Sequence, residues 1–225
     1  MSGKLQKYEG AKITVTFDKS RCIHVAECLR GLPAVFDTSQ RVWIALDNAD
    51  AAQVAETVER CPSGALQYQF TGAAVSEIPP EHNTVVINPH GPIYVRGNIE
   101  IVDSEGAVIG RATRLSLCRC GKSNNKPHCD NQHIEIKFRD KGEIPEGIVE
   151  STGGDMPSGS LRIEFSKDGP IGMIGPMTLS SRLTKESIQT NEAWFCRCGG
   201  SGTKPFCDST HQRIGFKGEE VRDAS

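Results

Sequence analysis

Two cysteine trios at a fixed offset constrain this chain more than any other feature. Cys118, Cys120 and Cys129 recur 78 positions later as Cys196, Cys198 and Cys207, and four residues beyond each trio stands a histidine, His133 or His211. The offset reaches past cysteine. Gly91-Pro92-Ile93 returns as Gly169-Pro170-Ile171, Lys126-Pro127 as Lys204-Pro205, Asp130 as Asp208 and Phe138 as Phe216. Residues 84–140 and 161–218 are therefore two copies of one module, and the chain has to be read as repeated units before any single fold is considered.

Each copy alternates short apolar runs with turn residues, the signature of strands. Thr84–Ile87, Ile93–Val95, Ile99–Val102 and Leu115–Leu117 are expected strands, with a turn at Asp103-Ser104-Glu105-Gly106. Their counterparts are Leu161–Phe165, Ile171–Met173, Met177–Leu179 and Trp194-Phe195. Asp140 to Ser160, rich in Gly, Pro and Ser, reads as a connector, and a second connector around Glu77 to Asn83 sets off residues 1–76. That first region is different in kind. Ile13, Val15 and Phe17 alternate as a strand, Val42–Ala45 suggests another, and Ala51, Val54, Ala55 and Val58 form one face of a helix started by Asp47 or Asn48. The expected fold class is α+β: a small N-terminal domain followed by two β-rich repeats.

Three thiolates and one imidazole within sixteen residues make a metal site by composition. Cysteines packing as small hydrophobes would not explain the same spacing twice. Zinc accepts Cys3His tetrahedrally, but structural zinc motifs usually separate their cysteines by two to four residues. The one-residue gap in Cys118-x-Cys120 and Cys196-x-Cys198 suits a dinuclear cluster better. The stretches Cys118-Arg119-Cys120-Gly121-Lys122-Ser123, Lys126-Pro127-His128-Cys129-Asp130-Asn131-Gln132-His133 and their second copies, with the upstream Gly-Pro-Ile, resemble the CDGSH iron–sulfur family over about half the chain. The resemblance implies a 2Fe-2S cluster per motif, with Cys118 and Cys120 on one iron and Cys129 and His133 on the other. It implies the same for Cys196, Cys198, Cys207 and His211. Family members with one motif dimerise, so two motifs in one chain imply an intrachain pseudo-dimer and a monomeric protein. Asn131-Gln132 and Ser209-Thr210 stand where the family has Gly-Ser, and serine tolerates a left-handed backbone less well than asparagine.

One histidine among three cysteines leaves an oxidised 2Fe-2S site with one negative charge instead of two, which raises its potential, as histidine does in Rieske-type centres. Acid competes with iron for the imidazole, so acid-labile clusters are expected. Arg119, Arg197, Lys126 and Lys204 read as solvated charges, or as groups that offset cluster charge or dock an acidic partner. Asp130 and Asp208 read as caps of a following helical turn, and His128, aligned with Phe206, as a packing or surface residue.

The other three cysteines, Cys22, Cys28 and Cys61, sit in the first region, with Cys61 followed by Pro62. On the bacterial ferredoxin template of C-x2-C-x2-C and a remote Cys-Pro, Val25 occupies the missing second ligand position. Three thiolates fit a 3Fe-4S cluster, or a 4Fe-4S cluster whose fourth iron takes water, hydroxide or His24. The region CIHVAECLRGLPAVFD followed by CPSGAL resembles divergent mono-cluster ferredoxins over residues 11–70.

Formal net charge is −2 and evenly spread, so no basic patch points to nucleic acid or to a membrane surface. The N-terminus lacks the apolar core of a signal peptide, and no apolar run approaches the roughly 18 residues of a span. The chain carries no Walker loop, G-x-S-x-G or H-E-x-x-H. The expectation is a soluble, cytoplasmic electron-transfer protein that is not an enzyme, carrying two 2Fe-2S clusters and one 3Fe-4S or 4Fe-4S cluster and meeting redox partner proteins. The alternatives are a labile carrier or sensor that passes 2Fe-2S clusters to acceptor proteins, and a zinc-bearing interaction module.

Overall fold

The computed structural model describes residues 5–73, 77–153 and 157–219. The ends of the expected 1–76 domain and residues 154–156 of the connector lie outside these ranges. The chain divides between Ile78 and Pro79 into two compact units, sheet-rich with a few short helices.

In the first unit, β1 (Gln6–Glu9), β2 (Ile13–Phe17) and β3 (Leu66–Phe70) form an antiparallel sheet in that order. Ile13 and Val15 point inward, as their alternation requires. β1 escapes sequence reading because Gln-Lys-Tyr-Glu is a polar edge strand with no alternation to detect. Helix α1 (Glu27–Gly31) carries Cys28, and α2 (Ala51–Glu59) buries Val54, Ala55 and Val58. The cap of α2 is Asp50, whose N–H donates to Gln53 Oε1 at 3.3 Å, not Asp47 or Asn48. Those two are engaged elsewhere: Asp47 accepts the Ala11 N–H at 2.8 Å, and the Asn48 amide donates to Ala34 O at 2.9 Å. The strand expected at Val42–Ala45 shrinks to one bridge between Phe36 and Ile44. Asp37 folds the chain back through the Ser39 N–H (2.9 Å), leaving little length to pair.

In the second unit each repeat contributes three strands and one helical turn: β4 (Thr84–Ile87), β5 (Ile93–Val102), β6 (Val108–Leu117) and α3 (Gln132–Glu135), then β7 (Leu161–Phe165), β8 (Ile171–Ser181), β9 (Ser187–Phe195) and α4 (Thr210–Arg213). The paired short runs of the sequence reading fuse into single long strands, β5 and β8. Each carries a register shift near its middle, after Arg96 in β5 and after Ile174 in β8, and β5 shifts again after Ile101. Those shifts let each long strand serve two neighbours. β5 pairs antiparallel with β4 along its first half and parallel with β7 along its second; β8 pairs with β7 and then with β4. Val85 opposite Leu179 and Ile101 opposite Ile163 are one pairing with the repeats exchanged. The shift in β5 leans on Asn83, whose Oδ1 accepts the Asn98 N–H at 2.9 Å and whose amide donates to Pro176 O at 2.7 Å.

One core serves both repeats, joining Val85, Ile93, Ile99 and Leu117 to Leu161, Phe165, Met173 and Phe195. Each such side chain, fully buried, contributes about 1.5–3 kcal/mol. Neither copy encloses this core alone. Among the described residues no helix is long and apolar enough to cross a membrane.

Candidate metal centres

The cysteines of each repeat lie on a loop that extends the sheet and then turns into the helical turn. Cys118 N–H donates to Pro127 O (2.9 Å) and Cys129 N–H to Ser116 O (2.9 Å); Cys196 to Pro205 O and Cys207 to Trp194 O repeat this at 2.8 and 2.9 Å. Ser123 Oγ donates to His128 O and Ser201 Oγ to Phe206 O, both at 2.7 Å. Asp130 accepts the N–H groups of Asn124 (2.8 Å) and Gln132 (3.1 Å), and Asp208 those of Gly202 (2.7 Å) and Thr210 (2.9 Å). Each aspartate thus ties the start of a helical turn to the cysteine loop. Asn131 and Ser209 follow in left-handed backbone, φ 71° and 65°, and donate their N–H groups to Cys129 Sγ and Cys207 Sγ at 3.4 Å.

The donors come in pairs. Cys118 Sγ and Cys120 Sγ lie 3.6 Å apart, Cys129 Sγ and His133 Nδ1 3.5 Å; in the second repeat Cys196 and Cys198 are 3.6 Å apart, Cys207 Sγ and His211 Nδ1 3.4 Å. Two sulfurs on one tetrahedral ion with bonds of about 2.3 Å sit about 3.8 Å apart, and a sulfur with a nitrogen about 3.5 Å. Each pair therefore has the spacing of two ligands on one ion. Among the described residues no group of three or more His, Cys, Asp or Glu side chains is placed to hold a single ion. Such a convergence is what mononuclear zinc in a Cys3His site needs.

A shallow recess lies between the pairs of the first repeat, lined by its four donors together with Gly91 and Arg119. Burial pushes the Cys129 thiol up to about 12 and Cys198 up to about 11, and also raises Cys207. Cys118 is drawn down to about 6 by the hydrogen bond from Cys120, which is itself raised by holding that proton. Burial, and then the charge of Arg119, lower His133, leaving a neutral imidazole for a metal. Buried thiols that resist ionisation release their protons when a cation supplies the missing charge stabilisation.

The loops of the two repeats touch. Gly121 (φ 78°) and Gly199 (φ 77°) lie so close to the other loop that a Cβ on either would run into the backbone of Cys198 or Cys120. Only glycine satisfies both the conformation and the approach.

The two basic residues between cysteines are not solvated charges. Arg119 and Arg197 are 1% and 2% exposed, which corrects the reading of solvated charges; their guanidinium groups lie over aromatic rings while carbonyl oxygens take up the N–H groups. Arg119 donates to Gly91 O and Asn88 O, both at 2.7 Å, pairs with Asp140, and lies 5.2 Å from the Phe138 ring centre. Arg197 donates to Ser166 O (3.0 Å) and Glu219 O (2.7 Å), 5.8 Å from the ring of Phe165 and 5.9 Å from that of Phe216. Burial lowers the Arg197 pKa, against the pull of Cys118 and Asp168. Lys126 and Lys204 bend back to the carbonyls of Ser123 and Ser201. Asp140, assigned to a connector from sequence, belongs to this site. Its signal was the recurrence of an arginine between the two cysteines of both copies, a position that needs a partner once buried.

In the first unit Cys22, Cys28 and Cys61 are all half-buried. Burial raises Cys22 and Cys28, and the charge of Cys61 raises both further, so the fold brings the three thiols within electrostatic reach of one another. The connecting loop turns through left-handed His24 (φ 54°) and Ala26 (φ 61°). His24 is exposed and Val25 half-buried.

The family model described as iron-binding zinc finger, CDGSH type, matches residues 90–134 and 168–212, and that of the divergent 4Fe-4S mono-cluster matches residues 8–70. The uncharacterized protein YjdI of Escherichia coli K12 is 38% identical over 69 residues, which are 31% of this chain and 91% of YjdI. YjdI of Escherichia coli O157:H7 matches to the same extent. No solved structure matches the chain.

Proposed function

The chain belongs to the CDGSH-type iron-binding family, with a divergent 4Fe-4S mono-cluster domain before its two repeats, and from that premise we propose that it is an electron-transfer protein with three clusters. Cys118 and Cys120 would hold one iron and Cys129 and His133 the other of a 2Fe-2S cluster. Cys196 and Cys198, Cys207 and His211 would do the same in the second repeat. Cys22, Cys28 and Cys61 would hold a 3Fe-4S or 4Fe-4S cluster. The observation that carries this reading is the pairing of donors at 3.4–3.6 Å in both repeats. Such clusters store and release single electrons. The protein's part is to fill every ligand position of the two 2Fe-2S sites, direct N–H groups at sulfur and keep the His133 imidazole neutral, which favours carrying electrons over substrate chemistry and a carrier over an enzyme. The exchanged strands support an intrachain pseudo-dimer, and the free thiols suit a reducing cytoplasm.

Iron, zinc and acid-labile sulfide per chain, with the visible spectrum of anaerobically purified protein, test this. About seven or eight irons with about eight sulfides are expected; two or three zincs without sulfide refute it. A second reading, a carrier that passes clusters to acceptor proteins, draws support from His133 and His211 being only half-buried and so within reach of solvent protons. Incubation with an apo-ferredoxin separates the two: an electron carrier keeps its 2Fe-2S spectrum, a cluster donor loses it to the acceptor.

A further inference from the structure

The repeats agree at their ligands and differ in where one carboxylate stands. At the offset of 78, Asp140 aligns with Gly218 and His90 with Asp168. Each buried arginine has an aspartate near it, Asp140 for Arg119 in the first repeat and Asp168 for Arg197 in the second. The pairing does not match. Asp140, 13% exposed, pairs directly with the buried Arg119 guanidinium. Asp168, 34% exposed, pairs at 2.9 Å with Lys217, whose side chain is 82% exposed; its other oxygen accepts the Gly218 N–H at 3.0 Å. Arg197 is left with two carbonyl oxygens, and its buried Nε has no hydrogen-bond partner, whereas Arg119 Nε donates to Gly91 O.

A surface pair in water contributes little field at a distance, whereas a buried charge acts through a weakly screening interior. The Asp140 carboxylate therefore offsets the buried cation beside Cys118, Cys120 and His133 at direct contact, whereas Asp168 acts on Arg197 only from a half-exposed position where Lys217 already holds it. Solvent access acts in the same direction. All three cysteines of the first repeat are buried, while Cys198 and Cys207 are half-buried, and water stabilises the more negative, reduced state of a cluster site.

We propose that the two repeats are a low- and a high-potential site, set apart by the buried Arg119–Asp140 pair in the first and by an Arg197 that makes no ion pair among the described residues in the second, so that one electron given to the pair resides on the second repeat. This rests on the cluster assignment above. It makes the chain directional, since the loops of the two sites touch at Gly121 and Gly199.

The test is a potentiometric titration of the full holoprotein followed by electron paramagnetic resonance, after the iron, sulfide and spectral analysis has shown two 2Fe-2S clusters. If that analysis fails, the cluster assignment is wrong; if it succeeds, the titration judges the present inference alone. The two 2Fe-2S signals are expected to differ at least tenfold in reduction equilibrium constant, which for one electron is 59 mV. His211→Cys is expected to move the higher and His133→Cys the lower. Asp140→Asn raises the lower one. Gly218→Asp, which places a carboxylate where the first repeat has one and displaces the Phe216 ring, 2.9 Å from the added Cβ, lowers the higher one and stays informative if Asp140→Asn does not fold. Asp168→Asn raises the higher one by less than Gly218→Asp lowers it. A common potential for the two sites, the reverse assignment, or a larger response to Asp168→Asn than to Gly218→Asp overturns the proposal.

Discussion

At the scale of single residues, Ser209 stands where the CDGSH pattern has glycine and adopts φ 65° nonetheless, because its N–H is held on Cys207 Sγ and Asp208 anchors both sides of the turn. A left-handed backbone costs a residue with a Cβ about 1–2 kcal/mol, part of which glycine returns through its own entropy. Ser209→Gly is therefore expected to stabilise the protein by up to about 1 kcal/mol, read as a higher urea midpoint with an unchanged visible spectrum. His133 and His211 allow a second prediction. Burial holds the His133 pKa below its ordinary value, and bound iron lowers it further, so protons displace the metal only as pH falls below the histidine range of about 6.5. Cluster absorbance should be constant above that range and decay below it. The double variant His133→Cys, His211→Cys should hold its absorbance to lower pH, and an unchanged acid profile would count against imidazole ligation.

At the scale of elements, the contact between cysteine loops is the least tolerant part of the fold. Gly121→Ala adds a Cβ where the Cys198 backbone already lies and strains φ 78° as well; left-handed strain and overpacking each cost about 1–2 kcal/mol or more. Denaturant unfolding should show a loss of at least about 2 kcal/mol, and Gly199→Ala the same, because the contact is reciprocal. Ala107→Gly, in the exposed turn between β5 and β6, serves as the control that unfolds nearly as the parent. The strands were legible as apolar runs bounded by turn residues, but not as the two long strands they form. Gly97-Asn98 and Gly175-Pro176 read as breaks in a sequence; in the fold they are shifts that pass one strand from its own repeat to the other.

At the scale of the whole molecule, the two compact units have separate cores, so residues 79–225 produced alone should fold and bind about four irons. The remaining three or four then belong to the first unit. Val25→Cys supplies the ligand missing from the ferredoxin template; if the N-terminal cluster is 3Fe-4S, iron per chain should rise by about one. An unchanged count would mean that the fourth position is already filled or that residue 25 points away from the cluster.

The repeat, the proposed ligands, the break between an N-terminal region and two modules, and the helix from Ala51 were all written in local sequence, because spacing and periodicity are properties of neighbouring residues. Three things were not. The start of α2 was misplaced because Asp47 and Asn48 are drawn off by Ala11 and Ala34, far away in sequence. The arginines looked solvated because nothing nearby in the chain announces that Asn88, Gly91 and Asp140 close around Arg119. The exchange of strands depends on which edges find each other once two half-cores are present, and that is decided by burial of surface neither repeat can cover alone.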